Sequence, residues 1–197
     1  MSPRARRGGE IEGLKGRIAE ALVESIFRRA GYRVSRAGRE SQFQRLMKIG
    51  ADEFLPDFLL HKPAGETPTG RTLHRLIPVE VKYRASVEEF LRSHGDGLVS
   101  TLRAQWPELC IAFVTDHPAS GRSCFQVLDI AAAPPGEPLV SIDLHYVAEF
   151  DIYLTTVQEY EGLVRQIFPL LRLGGGFTRS PGADAPRALG ARPGPEG

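Results

Sequence analysis

Three side chains in two short stretches of this 197-residue chain could do chemistry together: Asp57 in residues 55–60 (LPDFLL), and Glu80 and Lys82 in residues 76–84 (LIPVEVKYR). Residues two apart in an extended strand face the same way, so Glu80 and Lys82 share a face while Val79, Val81 and Tyr83 turn to the other. If the strand that Asp57 opens pairs with this one, Asp57 and Glu80 come close, with Lys82 beside them. Two carboxylates about 5 Å apart repel by roughly 3 kcal/mol at an effective dielectric near 20, and a divalent cation reverses that sign. Magnesium takes oxygen ligands and keeps several waters, so two carboxylates plus phosphate oxygens suit it. It polarises a phosphate and makes water more nucleophilic, and a neighbouring lysine orients that water or offsets developing charge. Each piece alone is weak. An E-x-K pair on a strand is usually a solvated face, and Pro-Asp often only opens a turn. The combination on two adjacent strands is what points to a site.

The elements that must position these groups follow from periodicity. Residues 11–30 carry apolar positions at helical spacing and end at Gly31, a C-terminal stop. Residues 32–37 read as a short strand, and 38–54 as part helix, part loop. Pro56 sits near the start of the strand at 55–60. Residues 61–72 (HKPAGETPTGRT) hold two prolines and two glycines and read as a loop. Residues 76–84 give the cleanest alternation in the chain. Ser86 and Glu89 have capping-box spacing and open a helix expected to break near Gly95 to Gly97, with a second piece to about Gln105. Residues 109–115 are continuously apolar and belong at the sheet centre. Residues 123–130 form another strand, and 139–142 a short edge strand. Thr156 and Glu159 repeat the capping spacing ahead of a last helix marked by Val157, Val164 and Phe168. The expectation is a mixed α/β fold, a sheet flanked by helices. It would occupy residues 11–173, between a flexible basic arm at 1–10 and a disordered Gly/Pro/Arg-rich tail at 174–197.

Composition narrows the classes. Hydrophobic residues make up 42% and charged residues 25%, as in a globular domain, and no apolar run approaches a membrane span. The N-terminal stretch is basic and lacks the apolar core of a secretion signal, so a cytoplasmic protein is expected. Cys110 and Cys124 lie in apolar runs without CxxC spacing, which predicts buried thiols rather than a disulfide or a zinc site. The net charge of +1 does not decide for or against nucleic acid, but arginine recurs through the first half, which suits phosphate contacts.

With Pro56-Asp57 and Glu80-Val81-Lys82 in this order of elements, the sequence resembles the PD-(D/E)xK nuclease superfamily, whose fold is restriction endonuclease-like. Gly16-Arg17-Ile18-Ala19-Glu20, followed by Gly31-Tyr32 eleven residues later, is similar to the start of archaeal-type Holliday junction resolvases. The resemblance covers roughly residues 11–130. It implies a Mg2+-dependent endonuclease acting on DNA, with Mn2+ substituting. Asp57, Glu80 and the carbonyl of Val81 would hold the metal, Lys82 would assist the water, and Glu20 would lean in from the first helix. On a helical wheel Glu20 borders the apolar arc, yet Arg17, Glu20, Glu24 and Arg28 also form a stripe suited to exposed ion pairs; Glu24 is the alternative if the helix starts differently. Arg36, Arg39 and Arg84 are the expected nucleic-acid contacts. A homodimer fits the same expectation, since cutting two strands symmetrically takes two sites. The competing expectation is a catalytically inactive DNA-binding or assembly module that keeps the fold.

Overall fold

Six strands lie side by side in chain order, β1-β2-β3-β4-β5-β6, in one mixed sheet. The computed structural model describes residues 3–37, 55–133 and 137–173. The elements are α1 (Pro3–Arg29), β1 (Arg33–Arg36), β2 (Phe58–Glu66), β3 (Thr72–Tyr83), α2 (Val87–Gln105), β4 (Cys110–Val114), β5 (Phe125–Asp129), β6 (Ile142–Asp143), a 3-10 turn at Leu144–Tyr146, and α3 (Leu154–Leu173). All neighbouring strands are antiparallel except β3 and β4, which run parallel. A parallel pair needs a crossover, and α2 supplies it.

The strand pleat sorts side chains onto two cores. Ile77, Val79 and Val81 of β3 join Cys110, Ala112 and Val114 of β4 beneath α1 (Ala19, Val23, Ile26, Phe27) and α3 (Val157, Val164, Phe168). Ile111 and Phe113 turn the other way and pack with Val87, Leu91, Val99 and Leu102 of α2. Every residue of β4 is buried, as its unbroken apolar run predicts for a central strand. Both cysteines are free and buried, and burial pushes the Cys110 thiol up to about 12. Among the described residues no helix is long and apolar enough to cross a membrane.

Four expectations are corrected. The first helix begins at Pro3 rather than near residue 11, so residues 3–10 are its opening turns and not a separate arm; proline is tolerated in a first turn, where its missing N–H has no partner to lose. Residues 61–72 are not a loop. They extend β2 and β3 into a hairpin whose register slips between Pro63 and Gly65, where Gly65 adopts φ 136. A bulge tolerates both the missing amide and the positive φ. The turn closes with Thr67 N–H donating to the Arg71 carbonyl at 2.8 Å, and Gly70 stands at φ 77. Helix α2 runs unbroken through Gly95 and Gly97. Each glycine weakens it by about 1 kcal/mol, which is offset by four buried apolar side chains and by Ser86, whose hydroxyl accepts from Glu89 N–H at 3.2 Å. Finally, α3 starts at Leu154, ahead of Thr156, so the Thr156–Glu159 spacing is not its cap. The expectations for residues 38–54, including Arg39, and for the tail at 174–197 lie outside the described residues.

Candidate active site

The β2–β3 ladder sets the register of the corner. Phe58 stands opposite Val79, and one step further Asp57 comes opposite Glu80, just where β2 begins. Asp57 is fixed from two sides. Its carbonyl accepts from Ala37 N–H at 3.0 Å, and its Oδ2 accepts from the backbone N–H of Val81 at 2.7 Å. A residue's N–H and C=O leave a strand along the same edge, so the Val81 carbonyl also points to the edge that Asp57 occupies. Phe58 and Val79 go into the α1-side core. By alternation, Asp57, Glu80 and Lys82 share the opposite face.

Glu80 is only 6% exposed. Its Oε1 accepts from Lys82 Nζ. Among the described residues its Oε2 is buried without a hydrogen-bond partner. Burial first, and then the charge of Asp57, push the Glu80 carboxyl up to about 7, against the pull of Lys82. The corner thus contains two acids, one lysine and one unsatisfied oxygen.

Helix α1 brings a third acid to this neighbourhood. Burial and the charge of Asp57 raise the Glu20 carboxyl, while Arg36, Lys82 and Arg17 pull it down. Glu24, one turn on, is engaged elsewhere: it accepts from Arg28 Nε at 3.0 Å and from Arg36 Nε at 2.9 Å. Burial acts to raise the Glu24 carboxyl, but the two arginines outweigh it and hold it below the usual range. Of the two candidates on this helix, Glu20 is therefore the one that shares the field of Asp57 and Lys82. Arg36 stands at the rim in the grip of Glu24. Arg84, two residues beyond Lys82, donates to the Tyr83 carbonyl at 2.7 Å, and its guanidinium lies 4.3 Å from the Phe90 ring centroid.

The donor chemistry fits a hard divalent cation. Asp57, Glu80 and the Val81 carbonyl are all oxygen donors, and Glu80 Oε2 has no hydrogen-bond partner among the described residues. Among the described residues no group of three or more His, Cys, Asp or Glu side chains stands ready to hold an ion. An ion here would keep several waters, which is the habit of magnesium. Beside the corner, between the first half of α1 and the end of β3, opens a cleft of about 710 Å3 with Lys82 in its wall.

One cluster escaped the sequence reading. Lys15 Nζ donates to Asp116 Oδ2 and to the Tyr83 hydroxyl, both at 2.8 Å. The Tyr83 hydroxyl in turn donates to Asp116 Oδ1 at 2.6 Å, and the ammonium lies 4.6 Å from the Tyr83 ring centroid. The cluster ties α1 to the segment after β4. Its signal in the sequence is Lys15 itself, a charge inside the apolar stripe that continues through Ala19, Leu22 and Ile26.

In comparison with known proteins, no family model, no curated protein and no solved structure matches this chain.

Proposed function

We propose that the chain is a metal-dependent nuclease of the PD-(D/E)xK type that hydrolyses phosphodiester bonds in DNA on a restriction endonuclease-like sheet. The observation that carries this reading is Asp57 set opposite a buried Glu80 whose Oε2 lacks any donor, with Lys82 alongside. Asp57, Glu80 and the Val81 carbonyl would hold Mg2+, or Mn2+ in its place. The ion, when bound, supplies Lewis-acid polarisation of the phosphate and a more acidic water.

The remaining roles belong to the chain's own groups. Val81 N–H fixes the Asp57 carboxylate through its Oδ2. Lys82 carries the positive charge that offsets the extra negative charge on the phosphate oxygens as water adds. Glu20, with its raised proton affinity, is placed to accept a proton from the attacking water. Arg36 flanks the corner and suits a neighbouring phosphate.

The test pairs cleavage with metal binding. In Mg2+ or Mn2+ the wild-type protein is expected to cut labelled DNA and to melt at a higher temperature, a stabilisation of about 2.7 kcal/mol at a hundred times Kd. Asp57→Ala should lose both while keeping its circular dichroism spectrum. Metal-dependent cutting retained by purified Asp57→Ala defeats the assignment. Salt-sensitive DNA binding with no metal response would favour the inactive binding module instead.

A further inference from the structure

Strand β2 starts opposite Val79, so β3 beyond that point has an edge with no strand beside it among the described residues. The 710 Å3 cleft runs along this edge, and α1 forms its other wall. We propose that the cleft seats one unstacked nucleotide of the substrate strand, next to the phosphate under attack. The enzyme then acts on DNA with an unpaired nucleotide (a single strand, a flap or a frayed end) in preference to continuous duplex. This rests on the nuclease reading above and adds the substrate class to it.

Three observations carry it. First, Glu80 and Lys82 follow one another at a two-residue step on one face of β3, about 7 Å apart, and Arg84 comes one residue past the strand's end. If Lys82 meets the attacked phosphate, Arg84 is placed for the next one along the strand. Second, Arg84 is held for that task. Its guanidinium is packed on Phe90 and tied to the Tyr83 carbonyl, and it forms no salt bridge among the described residues. Burial lowers its proton affinity, against the opposing pull of the Glu12 charge. Third, the cleft has room for a base. Ile11, Tyr83 and Ala85 line it together with Glu12 and Lys15, and Gly16 contributes no side chain; a Cβ added at Gly16 would meet nothing within 4 Å. The volume falls in the range of roughly 300–1,000 Å3 typical of small-ligand pockets. A paired base cannot enter without leaving its stack. Extrusion costs a few kcal/mol in a duplex and least where the base is already unpaired.

The experiment uses the full chain, Mn2+, and labelled DNA presented as single strand, flap, frayed end and continuous duplex. Two variants accompany it: Gly16→Leu, which fills the cleft, and Gly13→Leu, an exposed position outside the cleft on the same helix. The wild type is expected to cut the unpaired substrates at least about tenfold faster than duplex. Gly16→Leu should lower that cutting at least about tenfold while its Mn2+-induced rise in Tm stays, and Gly13→Leu should leave the rates within about twofold. Equal rates on duplex and unpaired DNA, or wild-type cutting by Gly16→Leu, overturn the proposal and leave the nuclease reading standing. A wild type that cuts nothing and gains no stability from metal overturns both. Should Gly16→Leu fail to fold, Arg84→Met carries the test: KM for the single strand should rise at least about fivefold with kcat nearly held, and an unchanged KM counts against the proposal.

Discussion

Strand β3 contributes to two clusters of buried charge, and they are built on opposite terms. On the α1 side, Lys15, Tyr83 and Asp116 form a closed set: each acceptor oxygen of Asp116 has a donor, and the ammonium has both a carboxylate and a ring. On the other side, Glu80 and Asp57 face each other with one lysine between two acids, and Glu80 Oε2 has no donor. A buried charge is tolerable when it is matched and expensive when it is not. The closed cluster therefore explains itself as a structural tie. The open one does not: Glu80 Oε2 has no hydrogen-bond partner among the described residues. That contrast, rather than burial as such, is what separates a candidate site from a core contact.

The sharpest way to break the contrast is to open the closed cluster. Asp116→Ala leaves the Lys15 ammonium, 3% exposed, without its carboxylate. Removing one partner of a buried pair costs about 3–5 kcal/mol, so the urea midpoint should fall by a large fraction of the total stability. A loss below about 1 kcal/mol would mean that the cluster is not a structural anchor. The α1 wall of the cleft should loosen with it, and cutting should weaken as well.

The open corner predicts the opposite sign. In the native state Glu80 holds its proton up to about 7, against 4.5 for the free side chain. The folded form therefore binds more protons than the unfolded form between these values. Stability contributed by the protonated Glu80 is complete below pH 4.5 and is lost as pH rises through 7. The full loss is on the order of 3 kcal/mol. Glu80→Gln keeps the shape, removes the charge and offers an N–H to Asp57. In EDTA at pH 8 it should melt higher than wild type, and the gap should close towards pH 4. Equal melting curves across that range would show that the two acids do not oppose each other. If the proposed metal site is right, the order should invert with Mn2+ present, because only the wild type keeps both proposed ligands.

These two regions were unequally legible before the coordinates. The corner was readable because its information is local: alternation over residues 76–84 places Glu80 and Lys82 on one face, and Pro56-Asp57 opens the preceding strand. Only the antiparallel register, Phe58 against Val79, had to come from the fold. The closed cluster depends on partners 101 residues apart, and no pattern at residue 15 says which acid will arrive. In the sequence, the hairpin over 61–72 reads as a loop for a different reason. Its side chains from Pro63 onward are largely exposed, so no buried face marks the strand period, while Pro63, Gly65 and Gly70 all read as breakers. Backbone pairing builds it, with a few side-chain ties such as Lys62 to the Glu149 carbonyl. Helix α2 runs through its glycines because packing against one core, not propensity, decides a helix that is capped at Ser86 and buried along one side.

The smallest expected effect separates two residues four positions apart. Glu24 sits between Arg28 and Arg36, whose side chains are 53% and 59% exposed. Solvent screens such pairs to within about 1 kcal/mol, so Glu24→Gln should shift stability little and leave cutting nearly unchanged at moderate salt. Among the described residues Glu20 forms no salt bridge, and it feels the charges of Asp57, Arg36, Lys82 and Arg17. Glu20→Gln should therefore be as stable as wild type or slightly more so, since it removes an acid from the field of another, yet it should cut more slowly at saturating DNA. The two variants thus trade places between the stability and activity assays. If Glu24→Gln proved the slower enzyme, the helix would be presenting the other acid to the corner, and Arg36 would be held at the rim for its own sake rather than by a residue outside the chemistry.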